Sequence, residues 1–185
     1  TYHPAAIGRQ WKLRPIAIAD MQKAREESLF PELRRPRRFI YLEPSLDDIA
    51  WFYERYIKDA SVVSTDIETK QGTITEIGFA PQWDRALVIP FYNHITNGNY
   101  WPSPSEELAA WRWVQRICEE KPLVGQNFSY DLQYLWAKNH IKTLEVADDT
   151  MILHHAMYPE MEKSLGFLGS IYTDEPSWKF MRADN

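Results

Sequence analysis

The sequence is poor in cysteine: Cys118 is the single one among 185 residues, so the chain cannot form an internal disulfide. This suits a reducing compartment, and we expect a cytoplasmic protein. No apolar run approaches the roughly 20 residues of a membrane-spanning helix, so we expect no membrane segment. The sequence also lacks internal repeats, low-complexity segments and a secretory signal. It does not begin with Met, which indicates a processed chain or a fragment.

Charge is divided unevenly along the chain, whose net charge is −5. Residues 1–40 contain 9 Lys and Arg against 4 Asp and Glu, whereas residues 41–185 contain 12 against 22. The acidic body argues against broad, non-specific binding to duplex nucleic acid. It does not exclude nucleic acid, because carboxylates that bind divalent cations lose their negative charge when loaded.

The first 38 residues predict one helix and a basic linker. Pro15 and the apolar residues after it fit an amphipathic helix of about a dozen residues. Residues 26–38 show no apolar periodicity, and Pro31 breaks any helix there. The run Arg34-Arg35-Pro36-Arg37-Arg38 could hold phosphate, with a solvated linker as the alternative.

Residues 39–185 predict a single α/β domain. We expect strands at 38–42, 62–69, 75–80, 86–91 and 123–126, and helices at 45–57, 103–120, 128–138, 150–157 and 164–172. Three strands in a meander, followed by alternating helix and strand, imply a mixed sheet flanked by helices. The loop at 92–102 is long enough to be functional rather than a minimal connection.

Two carboxylates at the end of the central strand are the main chemical feature. Successive strand residues point to opposite faces, so Asp66 and Glu68 share one face, roughly 6–7 Å apart, with Ile67 on the core side. Neighbouring carboxylates repel each other, and a divalent cation between them removes the repulsion. A solvated strand end is the alternative.

A third carboxylate follows a second buried strand. Residues 123–135 predict a strand, a turn and the start of a helix that directs Asp131 inward. Phe128 and Tyr130 beside it could stack on a terminal base, with core packing as the alternative. Asp148-Asp149 predicts a helix N-cap, with a role in the site as the alternative. His154-His155 is interpreted as lying at the core edge or surface.

These two stretches resemble the motifs of a nuclease superfamily. Asp66-Ile67-Glu68 and Asn127-Phe128-Ser129-Tyr130-Asp131 resemble the first two motifs of DEDD-type 3′–5′ exonucleases, which include proofreading domains of family A DNA polymerases and bacterial ribonuclease D. Asp149-Thr150-Met151, the helix at 164–168 and Pro176-Ser177-Trp178-Lys179 look like polymerase-type members. The resemblance implies a ribonuclease H-like fold over residues 39–185. A third motif, Y-x-x-x-D or H-x-x-x-x-D, would follow residue 179, so we expect a C-terminally truncated domain with little or no activity by itself.

The resemblance also implies a reaction and its residues. A proofreading exonuclease of this type hydrolyses DNA 3′ ends with two Mg²⁺ or Mn²⁺ ions, hard cations that suit a carboxylate-rich site. Asp66 would bridge the ions, Glu68 would bind the ion that activates water, and Asp131 would bind the second ion directly or through water. The residues expected to bind the single-stranded DNA 3′ end are Thr69, Asn127, Phe128 and Tyr130. A polymerase region in the same parent chain is a further expectation.

The N-terminal segment carries a separate resemblance. Thr1-Tyr2-His3-Pro4-Ala5-Ala6, with Arg9, looks like the C-terminal end of a family 4 uracil-DNA glycosylase, in which His3 would contact uracil. It covers about residues 1–27, and the rest of a glycosylase is absent. We expect a remnant without activity, and a phage-type parent protein, which would lie in the host cytoplasm.

Two other functions remain open at the level of sequence. One is a ribonuclease D-like exoribonuclease, because no residue here identifies a 2′-hydroxyl sensor. The other is a non-catalytic nucleic-acid-binding module with the same fold.

Overall fold

The computed structural model describes residues 1–32, 34 and 37–175. The chain divides into two compact units, one of residues 37–150 and the other of residues 1–36 together with 151–185. This division groups the last helices with the N-terminal ones, whereas the sequence placed them in a domain beginning at residue 39. That domain boundary stays a prediction. Residues 35–36 of the basic run and residues 176–179 of the polymerase-like stretch lie outside the described residues.

The unit of residues 37–150 is built on a six-stranded mixed sheet, which confirms the predicted fold class. The strands are β1 Phe39–Tyr41, β2 Val63–Lys70, β3 Thr73–Gln82, β4 Arg85–Pro90, β7 Pro122–Gly125 and β8 Glu145–Asp149. Their order in the sheet is β1-β4-β3-β2-β7-β8. Strands β2, β3 and β4 form an antiparallel meander, while β1 is parallel to β4, β7 to β2, and β8 to β7.

Helices and the inner sheet face enclose the core of this unit. Helix α3, Leu46–Phe52, begins at the predicted capping box, in which Ser45 and Asp48 bond each other's backbone N–H groups. Helix α4, Pro104–Glu120, buries its apolar side, and Cys118 lies fully inside. Helix α5, Ser129–Leu132, continues into a π-helical turn, Gln133–Lys138, just as α3 continues into Tyr53–Ile57.

A hairpin and an edge strand of this unit were not predicted from the sequence. The expected functional loop at 92–102 contains a small hairpin of β5, Tyr92–Asn93, and β6, Gly98–Asn99. Strand β8 was missed because it is an edge strand in which only its last residue is buried. Exposed residues with no apolar alternation give no strand signal.

The other unit is helical in its described residues. It contains α1 Pro4–Arg9, a short 3₁₀ turn Trp11–Leu13, α2 Arg14–Glu27, α6 Thr150–Met157 from its second residue, and α7 Leu165–Tyr172. Helix α2 confirms the predicted N-terminal helix. His3 is exposed at the start of α1, where its Nδ1 accepts the Ala5 N–H at 3.1 Å. A glycosylase-like origin of this segment stays a prediction.

Side chains hold the helices of this unit together. The Lys23 ammonium on α2 donates to the Ser170 carbonyl at 2.6 Å and to that of Thr173, at the C-terminal end of α7. His154, expected at the core edge or surface, is 1% exposed and bonds the Tyr172 hydroxyl through Nδ1 at 2.9 Å. Within the described range, the chain forms no helix with the length and apolar character needed to cross a membrane.

Candidate active site

Three parallel strands end at one edge of the sheet and bring distant parts of the chain together. Strand β7 pairs with β2 only at Val63 and Ser64 and then ends at Gly125. Strand β8 pairs with β7 up to Asp149. The carboxyl ends of parallel strands are where α/β proteins place their sites, because turns there expose side chains beside the sheet. Asp66 and the turn into α5 meet at this edge.

The alternation of β2 places its carboxylates as expected from the sequence. Val63, Thr65 and Ile67 are buried, while Asp66 and Glu68 are exposed on the opposite face. A β-bulge follows directly, between Glu68 and Thr69. Bulges bend a strand and redirect the next side chains, and they are frequent beside active sites.

Asp131 lies inside the protein, as the helix pattern predicted. Its side chain is 3% exposed, and its Oδ1 accepts the backbone N–H of Ile67 at 2.9 Å. Because β7 stops before this level of β2, the Ile67 N–H has no strand partner on that side. Asp131 takes the place of the missing carbonyl, so this bond ties α5 to the strand that carries Asp66 and Glu68.

The environment of Asp131 disfavours its charge. Burial, together with the nearby negative charges of Asp66 and Asp149, raises the pKa of Asp131 to about 6, although the hydrogen bond from the Ile67 N–H opposes part of the rise. A cation bound next to Asp131 would stabilise the ionised form of its carboxyl group. Perturbed carboxyl groups of this kind concentrate at functional sites.

The turn before α5 is fixed by residues from β7 and β8. The Asp149 carboxylate accepts the Asn127 N–H at 3.0 Å and the Phe128 N–H at 2.8 Å. Asn127 has a positive φ of 54°, a backbone conformation that asparagine tolerates better than most residues. A Cβ at Gly125 would lie 2.3 Å from Cδ2 of the Phe128 ring, so only glycine fits there. This packing sets the position of Asp131 three residues later.

Sequence reasoning missed this function of Asp149. For Asp148-Asp149 the sequence predicts the N-cap of the following helix, with a role in the site as the alternative; the structure shows that the Asp149 side chain is 9% exposed and bonds the preceding turn. The partners lie more than 20 residues earlier in the chain, a separation that no local pattern reports. A predicted β8 beside β7 would have been the signal, since it places Asp149 next to the end of β7.

The four predicted substrate-binding residues have different surroundings. The Thr69 hydroxyl lies 2.7 Å from the Tyr130 hydroxyl, and Tyr130 is 43% exposed. Asn127 is also exposed. Phe128 is 1% exposed and belongs to the hydrophobic core, so the core-packing alternative holds for its ring. It cannot stack on a base in this conformation.

The predicted metal site is not assembled as a set of three ligands. Across residues 1–32, 34 and 37–175, no group of three or more His, Cys, Asp or Glu side chains is arranged to hold a metal ion. Asp66 does lie close enough to Asp131 for its charge to raise the Asp131 pKa. Two carboxylates of this kind suit one hard divalent cation. The assignment of Asp66, Glu68 and Asp131 as ligands stays a prediction.

Comparisons with known proteins support the fold. No protein-family model matches the sequence, and no curated protein matches it. Among solved structures, the catalytic core of RRP6 from Trypanosoma brucei has a TM-score of 0.53 at 13% identity, covering 86% of this chain and 43% of that chain. The EXO domain of Nibbler from Aedes aegypti has a TM-score of 0.51 at 14% identity, covering 75% of this chain and 72% of that chain.

A polymerase structure is also similar. The POL domain of Pol1 from M. smegmatis, in complex with DNA primer-template and dNTP, has a TM-score of 0.51 at 14% identity. That match covers 71% of this chain and 22% of the polymerase chain. The structural similarity shows a shared fold. Because the sequence identities are this low, the substrate and the parent protein stay predictions. The chain therefore has a ribonuclease H-like fold, which it shares with these solved structures.

Proposed function

We propose that the chain is a 3′–5′ exonuclease domain that hydrolyses the terminal phosphodiester of single-stranded DNA with the help of divalent cations. The observation that carries this proposal is the buried Asp131 beside Asp66, at the carboxyl edge of a sheet with an exonuclease fold. An ionised carboxyl group buried beside two other carboxylates destabilises the folded state unless a cation binds next to it.

Each residue of the proposed site has a distinct role. Bound divalent ions supply water activation and neutralisation of the leaving oxygen, the chemistry that phosphodiester hydrolysis needs. Asp66 and Asp131 would hold the cation, and the bond from the Ile67 N–H fixes the orientation of the Asp131 carboxylate. Glu68, exposed on the same face as Asp66, would complete the ligand set.

The proposed substrate polarity follows from the fold and from the predicted motifs. Thr69 and Tyr130 are joined at 2.7 Å next to the carboxylates, where they contact the terminal nucleotide. Proofreading within a DNA polymerase is the proposed setting, and an exoribonuclease is its direct competitor. A comparison of DNA and RNA oligonucleotides decides between the two.

The main test is an assay with oligonucleotides labelled at either end, in Mg²⁺ or Mn²⁺. We expect stepwise shortening from the 3′ end with release of nucleoside 5′-monophosphates. Asp66→Asn and Asp131→Asn each remove a charge from the site and should lower the rate by about 100-fold or more. Asp59→Asn is the matched control, because Asp59 is exposed and lies outside the site.

Several outcomes would contradict the proposal. Internal cuts or digestion from the 5′ end would exclude a 3′–5′ exonuclease. Equal rates in Asp66→Asn, Asp131→Asn and the wild type would show that these carboxylates take no part in hydrolysis. Faster hydrolysis of RNA than of DNA would favour the exoribonuclease.

A second candidate function is a non-catalytic module that binds nucleic acid. The observation that favours it is the lack of a ready three-ligand group among the described residues. It predicts oligonucleotide binding that divalent cations do not change, together with no hydrolysis in any metal.

A further inference from the structure

A surface of lysine and tyrosine side chains extends from the proposed active site across the turn between β2 and β3. We name it the lysine–tyrosine surface. Its members are Thr69, Lys70, Tyr92, Tyr130, Tyr134 and Lys138. All six are exposed or half-buried, and all belong to the unit of residues 37–150.

Direct contacts connect the surface to the site. Tyr130 precedes Asp131, and its hydroxyl lies 2.7 Å from that of Thr69, the residue after Glu68. The Tyr130 and Tyr134 rings are 5.1 Å apart, and Lys138 lies 4.3 Å from the centre of the Tyr134 ring. The Lys138 ammonium donates to the Gly72 carbonyl at 2.9 Å, which brings the helical segment onto the β2–β3 turn.

The hairpin forms the other side of the surface. Lys70 donates to the Tyr92 hydroxyl at 2.9 Å, and its ammonium lies 4.4 Å from the centre of the Tyr92 ring. Tyr92 in turn donates to Asn97 Oδ1 at 2.8 Å, so the β5–β6 hairpin holds the ring in place. The loop that the sequence marked as functional therefore supplies an aromatic side chain to this surface.

The charges of the two lysines are not cancelled locally. Both donate to neutral oxygens, and neither forms an ion pair with a carboxylate in the part of the chain that the structure describes. Residues 41–185 carry 12 Lys and Arg against 22 Asp and Glu, so two unpaired lysines beside three tyrosine rings are a distinct feature. Exposed rings next to cations fit bases and phosphates of a flexible strand.

We infer that the lysine–tyrosine surface binds the single-stranded polynucleotide upstream of the nucleotide held at Asp66 and Asp131. The inference rests on the proposed function for its direction along the strand. Phosphates meet Lys70 and Lys138, and bases stack on the tyrosine rings. A stiff duplex does not supply exposed base faces to such rings, so the occupant is a single strand.

The test is binding of end-labelled oligothymidylate and oligouridylate to the full chain in EDTA, measured by fluorescence anisotropy over a range of salt concentrations. Lys70→Ala and Lys138→Ala should each weaken binding and reduce the slope of log affinity against log salt by about 0.7, the value for one phosphate contact on a single strand. Tyr134→Ala should weaken binding by about fivefold or more, and leave the salt slope unchanged.

Matched variants separate charge from structure. Lys138→Arg should restore the salt slope, because it keeps the cation, and Lys142→Ala, an exposed lysine outside the surface, should bind as the wild type does. Thermal unfolding of each variant identifies any loss that comes from misfolding. Equal affinity of the thymidylate and uridylate strands means that the surface binds their shared backbone and base chemistry; a preference for one means that it also responds to the 2′-hydroxyl or the 5-methyl group.

The inference is overturned if Lys70→Ala and Lys138→Ala keep wild-type affinity and salt slope, or if duplex binds more tightly than single strand. Neither result bears on hydrolysis, since the assay contains no metal. Conversely, the predicted slopes together with internal or 5′-end cleavage would overturn the 3′–5′ exonuclease proposal and leave the surface standing.

Discussion

Replacing Asp131 by asparagine tests whether a buried charge opposes folding at the candidate site. The pKa of Asp131 is raised from 3.8 to about 6, chiefly by burial, and the side chain is 3% exposed. The folded protein holds this proton more tightly than the unfolded chain does. The stabilisation that comes from protonated Asp131 is therefore complete below pH 3.8 and is lost as the pH rises to about 6. The difference in pKa corresponds to about 3 kcal/mol of unfolding free energy.

Asp131→Asn cannot ionise, yet it keeps an oxygen that can accept the Ile67 N–H. Without metal, the variant should gain about 3 kcal/mol relative to the wild type between about pH 4 and pH 8. The measurement is urea unfolding in EDTA at a series of pH values. Asp59→Asn, at an exposed position, should show no comparable trend. A wild-type-to-variant difference that is flat across this pH range, or that shrinks as the pH rises, would refute the reasoning.

Three further predictions concern the turn and the core. Gly125→Ala should destabilise the protein by about 1–3 kcal/mol in thermal or urea unfolding, because its Cβ meets the Phe128 ring, whereas Gly8→Ala has open space and should cost far less. Asp149→Ala removes the acceptor of two backbone N–H groups and should cost at least about 2 kcal/mol in urea unfolding; a loss below about 0.5 kcal/mol would contradict the described turn. Burial raises the pKa of the Cys118 thiol to about 12, so an aromatic disulfide reagent at about pH 8 should modify it only after unfolding, and rapid modification of the folded protein would contradict its burial.

Local sequence patterns predicted the elements whose burial follows a simple period. The alternation in Val63–Lys70 indicated which face of β2 meets the core, and the observed burial of Ile67 between exposed Asp66 and Glu68 agrees with it. The capping box at Ser45 likewise marked the start of α3. Both features depend on residues within a few positions of one another, and such interactions can be recognised in a sequence.

Tertiary relations were not predictable in this way. Asp149 accepts N–H groups from a turn more than 20 residues earlier, and Lys70 donates to the hydroxyl of Tyr92, which lies 22 residues later in the chain. Strand β8 is exposed along most of its length and carries no alternation, so its pairing with β7 has no local signature. The core position of Phe128 depends on the shape of the space beside Gly125. Such contacts follow from the assembled sheet rather than from residue order.

The central claim is that Asp66 and Asp131 together hold a divalent cation, and crystals grown with Mn²⁺ and a nucleoside 5′-monophosphate test it most directly. We expect an anomalous scattering peak about 2.1–2.2 Å from a carboxylate oxygen of each residue, with Glu68 drawn towards the same ion. Asp131→Asn crystals grown in the same way should lose this peak. A peak bound elsewhere, or wild-type crystals with ordered Asp66 and Asp131 side chains and no Mn²⁺ between them, would contradict the account.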